Sequence, residues 1–132
     1  NLKKAILMTS GAAVQKLMMK IENEQEVLMN IADMAIQTFN AESVLLRIMK
    51  MAETKGEAAI GLYKDIMQTY LFDAADAVNK AGKDAINSFA EGDEQRMILM
   101  GLKRFTKAEP VNVKEARRRI ANKMIEEGRY CY

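Results

Sequence analysis

Apolar side chains recur every three to four residues along nearly the whole chain, and this spacing is typical of α-helices. No stretch of strand length alternates between apolar and polar residues, and the single proline, Pro110, falls in a short connector. The pattern therefore predicts an all-α fold of three long helices and two shorter ones. Their expected bounds are about 2–21, 24–53, 55–90, 94–106 and 113–127.

Local end signals separate these helices. Capping boxes at 23–26, 54–57 and 112–115 predict three helix starts, and Gly92 and Gly128 predict helix ends. Because the long segments are joined by only a few residues, we expect neighbouring helices to run antiparallel. The two short helices together match the length of one long helix. The sequence thus predicts an up-and-down four-helix-type bundle, with residues 1–132 as a single domain.

Several classes of site are excluded by residue content. The chain has one cysteine and no histidine, which excludes an internal disulfide, the usual zinc sites, histidine-dependent nucleophiles and di-iron Glu-x-x-His pairs. Its seven glycines are scattered and form no phosphate-binding loop. No leader pattern or apolar run of about 18 residues occurs. Because the chain starts at Asn1 without methionine, we expect either a processed protein or, as the favoured interpretation, a fragment of a longer one. No catalytic, cofactor-binding or metal residue is predicted.

Three features each allow a functional interpretation and a structural one. Asp73 and Asp76 lie one turn apart and could form an acid/base pair, although a solvated helix face is favoured. Eleven methionines suit an adaptable binding surface, but core filling together with a buried docking face is the favoured interpretation. Cys131, between two tyrosines, is interpreted as an ordinary tail cysteine rather than a reactive thiol.

Charge is unevenly distributed. Residues 93–132 contain ten basic and six acidic side chains, whereas residues 1–92 contain ten basic and twelve acidic ones. The basic cluster is a candidate surface for an acidic partner, an anionic membrane or the phosphates of a nucleotide ligand. A solvated face with intrahelical pairs such as Glu115 to Arg119 is the favoured interpretation. Nucleic acid is not expected, because no recognition motif is present. The cluster comprises Arg96, Lys103, Arg104, Lys107, Lys114, Arg117, Arg118, Arg119 and Lys123.

The last 40 residues carry a resemblance to a known family. They resemble the C-terminal tail of a bacterial acyl-CoA dehydrogenase, and more narrowly that of the long subfamily related to the very-long-chain enzymes. The preceding 90 residues agree with this family in helical layout and polarity. The segments that carry the resemblance are Gly92-Asp93-Glu94-Gln95-Arg96, Gly101-Leu102-Lys103-Arg104-Phe105-Thr106, Lys114-Glu115-Ala116-Arg117-Arg118-Arg119-Ile120-Ala121 and Tyr130-Cys131-Tyr132.

The resemblance implies a parent flavoprotein, an oxidoreductase that binds FAD and oxidises acyl-CoA to enoyl-CoA in fatty-acid β-oxidation. The family's catalytic domain normally supplies a glutamate base and a Gln-x-x-Gly-Gly stretch. This chain has no Gly-Gly pair, and none of its glutamates is matched to that base. The resemblance therefore implies a cytoplasmic, non-catalytic C-terminal domain that docks on the catalytic portion of the same enzyme, supports a homo-oligomer or contacts a membrane surface. A divergent catalytic domain and a free-standing adaptor bundle are the alternatives.

Overall fold

The computed structural model describes all of residues 1–132 and contains five α-helices and no strand. Two 3₁₀ segments, Met18–Asn23 and Glu57–Ile60, lie between the first three helices. The prediction of an all-α fold with three longer and two shorter helices is confirmed in its class and its helix count, although α1 is close in length to α4 and α5. The helices are α1 Leu2–Leu17, α2 Gln25–Lys55, α3 Gly61–Phe89, α4 Gly92–Phe105 and α5 Val113–Glu127.

The end of α1 differs from the prediction. The helix was expected to continue to about residue 21, but it ends at Leu17 because Met18 adopts a positive φ of 50°. This backbone conformation interrupts the α-helical ladder of hydrogen bonds, and the next six residues form a 3₁₀ segment instead. The predicted cap at Asn23 falls inside that segment, so α2 begins at Gln25, after Glu24.

The two other capping boxes have opposite outcomes. Thr54 does not cap the next helix, because its hydroxyl donates to the carbonyls of Lys50 at 3.0 Å and Met51 at 3.3 Å within α2. The side-chain oxygen of Asn112 does accept the Glu115 N–H at 3.2 Å, which confirms the predicted start of α5. Gly128 has φ 64° and ends that helix as predicted.

Residue contacts divide the chain into two compact units, each of which receives part of α2 and part of α3. The first unit consists of Asn1–Phe39 and Ala74–Ala108. The second unit consists of Asn40–Asp73 and Glu109–Tyr132. The assignment of residues 1–132 to one domain stays a prediction.

Small side chains allow the helices of the first unit to approach closely. Gly82 on α3 faces Leu102 on α4, and both residues are buried. Near them, the Asn79 amide donates to the Thr106 hydroxyl at 2.7 Å, and this hydroxyl donates to the Leu102 carbonyl at 2.7 Å. The core of this unit consists of Ala5, Ala13, Val27, Met34, Val78, Ala81, Ala85, Ile86, Phe89, Ala90 and Leu102.

Helices α1 and α4 pack side by side in opposite directions. Lys16, near the end of α1, forms an ion pair of 3.1 Å with Glu94, near the start of α4. At the other end of the pair, the Lys4 ammonium lies 6.0 Å from the centre of the Phe105 ring. Each contact joins the beginning of one helix to the end of the other, which establishes the antiparallel arrangement.

Candidate functional site

The nine cations of the predicted basic cluster fall into two groups with different surroundings. Four of them belong to the first unit: Arg96, Lys103, Arg104 and Lys107. Five belong to the second unit: Lys114, Arg117, Arg118, Arg119 and Lys123. The two groups differ in whether carboxylates neutralise their charges, so each is described within its own unit.

In the second unit, a bidentate ion pair joins α5 to α3. The Arg119 guanidinium donates to both carboxylate oxygens of Asp65, at 2.8 and 2.7 Å. The Asp65 side chain is only 14% exposed, whereas that of Arg119 is 55% exposed. The hydrogen bond from Arg119 holds the pKa of Asp65 below its ordinary value, against the opposing effect of burial. The same bond raises the pKa of Arg119.

About two turns further along α3, the Asp73 carboxylate accepts a hydrogen bond of 2.8 Å from Arg117. Sequence spacing made Asp73 a candidate for an acid/base pair with Asp76, and the structure places Asp73 in an ion pair with α5 instead. The expected intrahelical pair between Glu115 and Arg119 is wrong, because Arg119 binds Asp65. The partners of Glu115 are Lys114 at 3.1 Å and Arg118 at 3.3 Å.

The C-terminal tail contacts both α5 and α3. The Tyr132 hydroxyl donates to the carbonyl of Ile120 at 2.8 Å, and its ring meets Tyr63 edge-on at 5.7 Å between centroids. Burial raises the pKa of Tyr132. Cys131 is a free, half-buried thiol within this tail. The roles of Tyr63 and Asp65 were not predicted, since nothing in their local sequence distinguishes them from other helical polar residues.

In the first unit, the cations at the end of α4 have no carboxylate partner. Arg96 pairs with Asp93 at 3.3 Å, but Lys103, Arg104 and Lys107 are exposed and lie in no ion pair. The preceding turns of α4 also expose methionine side chains, with Met97 at 73% and Met100 at 72%. The exposed side of α4 therefore combines apolar thioethers with unneutralised positive charge.

Helix α2 presents a second exposed apolar face in the first unit. Large side chains there are 41–69% exposed, and their spacing places them along neighbouring faces of the helix. They are Leu28, Met29, Ile36 and Phe39.

Most methionines do not fill the core. Met34 is fully buried, whereas six methionine side chains are more than half exposed: Met18, Met19, Met29, Met49, Met97 and Met100.

The structure contains neither a cluster of metal-binding side chains nor a helix that could span a membrane. No cluster of three or more cysteine, aspartate or glutamate side chains is placed to hold a metal ion. None of the helices combines the length and apolar character that crossing a bilayer requires.

The sequence of this chain is similar to a known family of protein domains. The sequence profile described as "Acyl-CoA dehydrogenase, C-terminal domain" matches residues 1–104. This chain therefore belongs to the acyl-CoA dehydrogenase C-terminal domain family. The match covers α1 to α3 and α4 as far as Arg104, and it ends before α5. It therefore includes the first 91 residues, in which the sequence shows no sharp motif of the family.

Two bacterial proteins show the same relationship over nearly the whole chain. A probable acyl-CoA dehydrogenase of Bacillus subtilis (strain 168) is 30% identical over 128 residues, which are 97% of this chain and 22% of that protein. The crystal structure of an acyl-CoA dehydrogenase complexed with FAD from Bacillus anthracis is 32% identical, with a TM-score of 0.95, and the match covers 99% of this chain and 23% of that one. The chain thus spans less than a quarter of these relatives.

Proposed function

We propose that this chain is the non-catalytic C-terminal domain of an FAD-dependent acyl-CoA dehydrogenase of the long, very-long-chain-like subfamily. The parent enzyme oxidises acyl-CoA to enoyl-CoA in β-oxidation in the cytoplasm, and the domain docks on its catalytic portion and supports a homo-oligomer. The FAD complex of the Bacillus anthracis relative, of which this chain matches 23%, supports placing the flavin chemistry outside these residues.

The ion pairs of the second unit are the observation that carries the non-catalytic assignment. A general base must be free to accept a proton from the substrate, and its pKa usually lies near the working pH. Asp73 is paired with Arg117, and Asp65 is paired with Arg119, which moves the pKa of Asp65 away from neutrality. Both contacts fasten α5 to α3, so these carboxylates are better suited to holding helices together than to proton transfer.

The exposed face of α2 in the first unit supports the docking role. Side chains as large as Ile36, at 54% exposed, and Phe39, at 69%, are costly to leave in water when they lie close together. Interfaces between protein parts place such side chains at their dehydrated centre. A partner surface of the same enzyme that covers Leu28, Met29, Ile36 and Phe39 would remove this apolar area from water.

Calorimetric titration tests the non-catalytic assignment. We expect no saturable heat when FAD or a long-chain acyl-CoA is titrated into the purified 132-residue chain, because the groups that would bind them lie elsewhere in the parent. Titration of the same ligands into a complete acyl-CoA dehydrogenase serves as the positive control. Saturable binding of either ligand to this chain would contradict the proposal and favour the alternative of a divergent catalytic domain.

The end of α4 is our candidate for contact with an anionic membrane surface. Lys103 and Arg104 lie in the last turn of α4 and Lys107 lies two residues beyond its end, and no carboxylate neutralises their charges. Met97 and Met100 supply exposed apolar area on α4. Basic residues near an anionic bilayer contribute about 1 kcal/mol each, and apolar side chains add to the binding. This combination supports peripheral attachment, without insertion of a helix across the bilayer.

Charge reversal at the end of α4 tests the membrane contact. We expect the triple substitution Lys103→Glu, Arg104→Glu and Lys107→Glu to reduce cosedimentation with phosphatidylglycerol vesicles at least ten-fold at low salt, since about 1 kcal/mol is lost per cation. The matched control reverses three exposed lysines elsewhere and changes the net charge equally: Lys50→Glu, Lys55→Glu and Lys83→Glu. Equal losses in the two triple variants would show a response to net charge alone and would exclude a specific surface.

A further inference from the structure

Few apolar contacts hold α5 within the second unit. Ala116 is the only buried residue of this helix, and Val113 and Ile120 are half-buried. Helices in proteins are stabilised chiefly by burial of an apolar face, and α5 buries little. Its attachment therefore depends to an unusual degree on polar contacts with α3 and on the tail that follows it.

Those polar contacts are concentrated at two points of α3. Arg119 binds Asp65 with two hydrogen bonds, and Arg117 binds Asp73 with one. The tail adds the Tyr132 hydroxyl on the Ile120 carbonyl and the edge-on contact between Tyr132 and Tyr63. Because both arginine side chains are more than half exposed, salt screens the two ion pairs and weakens them.

We infer that α5 and residues 128–132 form a detachable strap on α3, fastened by the ion pairs of Asp65 and Asp73. While the strap is closed, the carboxylates neutralise Arg117 and Arg119; when it opens, α5 becomes a helix with unneutralised arginines. The strap thereby controls how many cations the chain offers to an anionic surface. This last consequence rests on the proposed membrane contact, whereas the strap itself does not.

The single cysteine of the chain reports directly on the strap, because Cys131 lies in the tail and is half-buried. We expect the double variant Asp65→Asn, Asp73→Asn to accelerate alkylation of Cys131 by N-ethylmaleimide about five-fold, as the loss of two ion pairs with half-exposed arginines allows. Raising the salt concentration from 50 mM to 1 M should accelerate alkylation of the unmodified protein and leave the double variant nearly unchanged. The matched control, Asp93→Asn, removes an exposed ion pair with Arg96 in the first unit and should not alter the rate.

A charge swap distinguishes an opened strap from a misfolded protein. The variant Asp65→Arg should label faster than the unmodified protein. Adding Arg119→Asp restores the pair with reversed polarity, so alkylation should slow from the rate of Asp65→Arg towards the original rate. Circular dichroism establishes whether each variant keeps its helices. An alkylation rate that is unchanged in the double variant Asp65→Asn, Asp73→Asn would overturn the strap, and so would a charge swap that labels as fast as Asp65→Arg alone while keeping its helices.

Vesicle binding separates the strap from the proposed function. With phosphatidylglycerol vesicles, the double variant should bind more than the unmodified protein, because Arg117 and Arg119 are released. If labelling accelerates and vesicle binding is present but unchanged, the strap stands and its control of the cations is overturned. If labelling accelerates and neither protein binds vesicles, the strap stands and the proposed membrane contact is wrong.

Discussion

Leu102→Ala is expected to lower the free energy of unfolding by about 3 kcal/mol, within the range of roughly 2–5 kcal/mol found for such truncations in cores. Leu102 on α4 is 0% exposed and belongs to the core cluster of the first unit, where its methyl groups lie against Gly82 of α3. Truncation removes buried methyl and methylene groups and leaves a cavity that the surrounding helices fill only in part. Urea denaturation followed by circular dichroism measures the loss.

The control for this prediction is a methionine two residues earlier on the same helix. Met100 is 72% exposed, so Met100→Ala removes little buried area and should change the stability by less than about 0.5 kcal/mol. Similar losses in the two variants would show that burial at position 102 is not what stabilises α4. A large loss at Leu102 alone would confirm that the inner face of α4 is part of the core.

The all-α fold class was predictable from the sequence because it depends on the short-range spacing of apolar residues. The helix ends that were predicted correctly are those with a local cause. The start of α5 depends on Asn112 accepting the Glu115 N–H, and its end depends on the positive φ of Gly128, so both are visible in a few residues. The end of α1 was missed because Met18, not a glycine, adopts the positive φ there. No rule of local sequence predicts that conformation for methionine.

The basic cluster was recognised from the sequence, but its partners were not. Sequence reasoning favoured Glu115 as the partner of Arg119, because residues four apart on a helix are neighbours. The actual partners of Arg119 and Arg117 lie 54 and 44 residues earlier on α3. Charge composition therefore predicts that cations are present, whereas the packing of α5 on α3 decides which of them remain unneutralised. That distinction narrows the candidate membrane surface from the nine cations of the cluster to Lys103, Arg104 and Lys107.

Close approach at Gly82 leads to the second stability prediction. A Cβ at this position would lie 2.7 and 2.9 Å from the two terminal methyl carbons of Leu102 and 3.3 Å from that of Met34. Gly82→Val is therefore expected to lower the free energy of unfolding by about 2 kcal/mol, since overpacking a dense core forces side chains out of their rotamers. Gly11→Val is the control, because no atom lies within 4 Å of a Cβ built there. Denaturation by urea compares the two variants.

Combining the two core substitutions tests whether steric conflict with Leu102 is the cause. In the double variant Gly82→Val, Leu102→Ala, the valine methyls occupy space that the leucine has vacated, so the total loss should be smaller than the sum of the single losses by about 1 kcal/mol or more. Additive losses would mean that valine is unfavourable at position 82 for another reason, such as contact with Met34. A coupling of the expected sign would establish that the absence of a side chain at Gly82 is what admits Leu102 to the core.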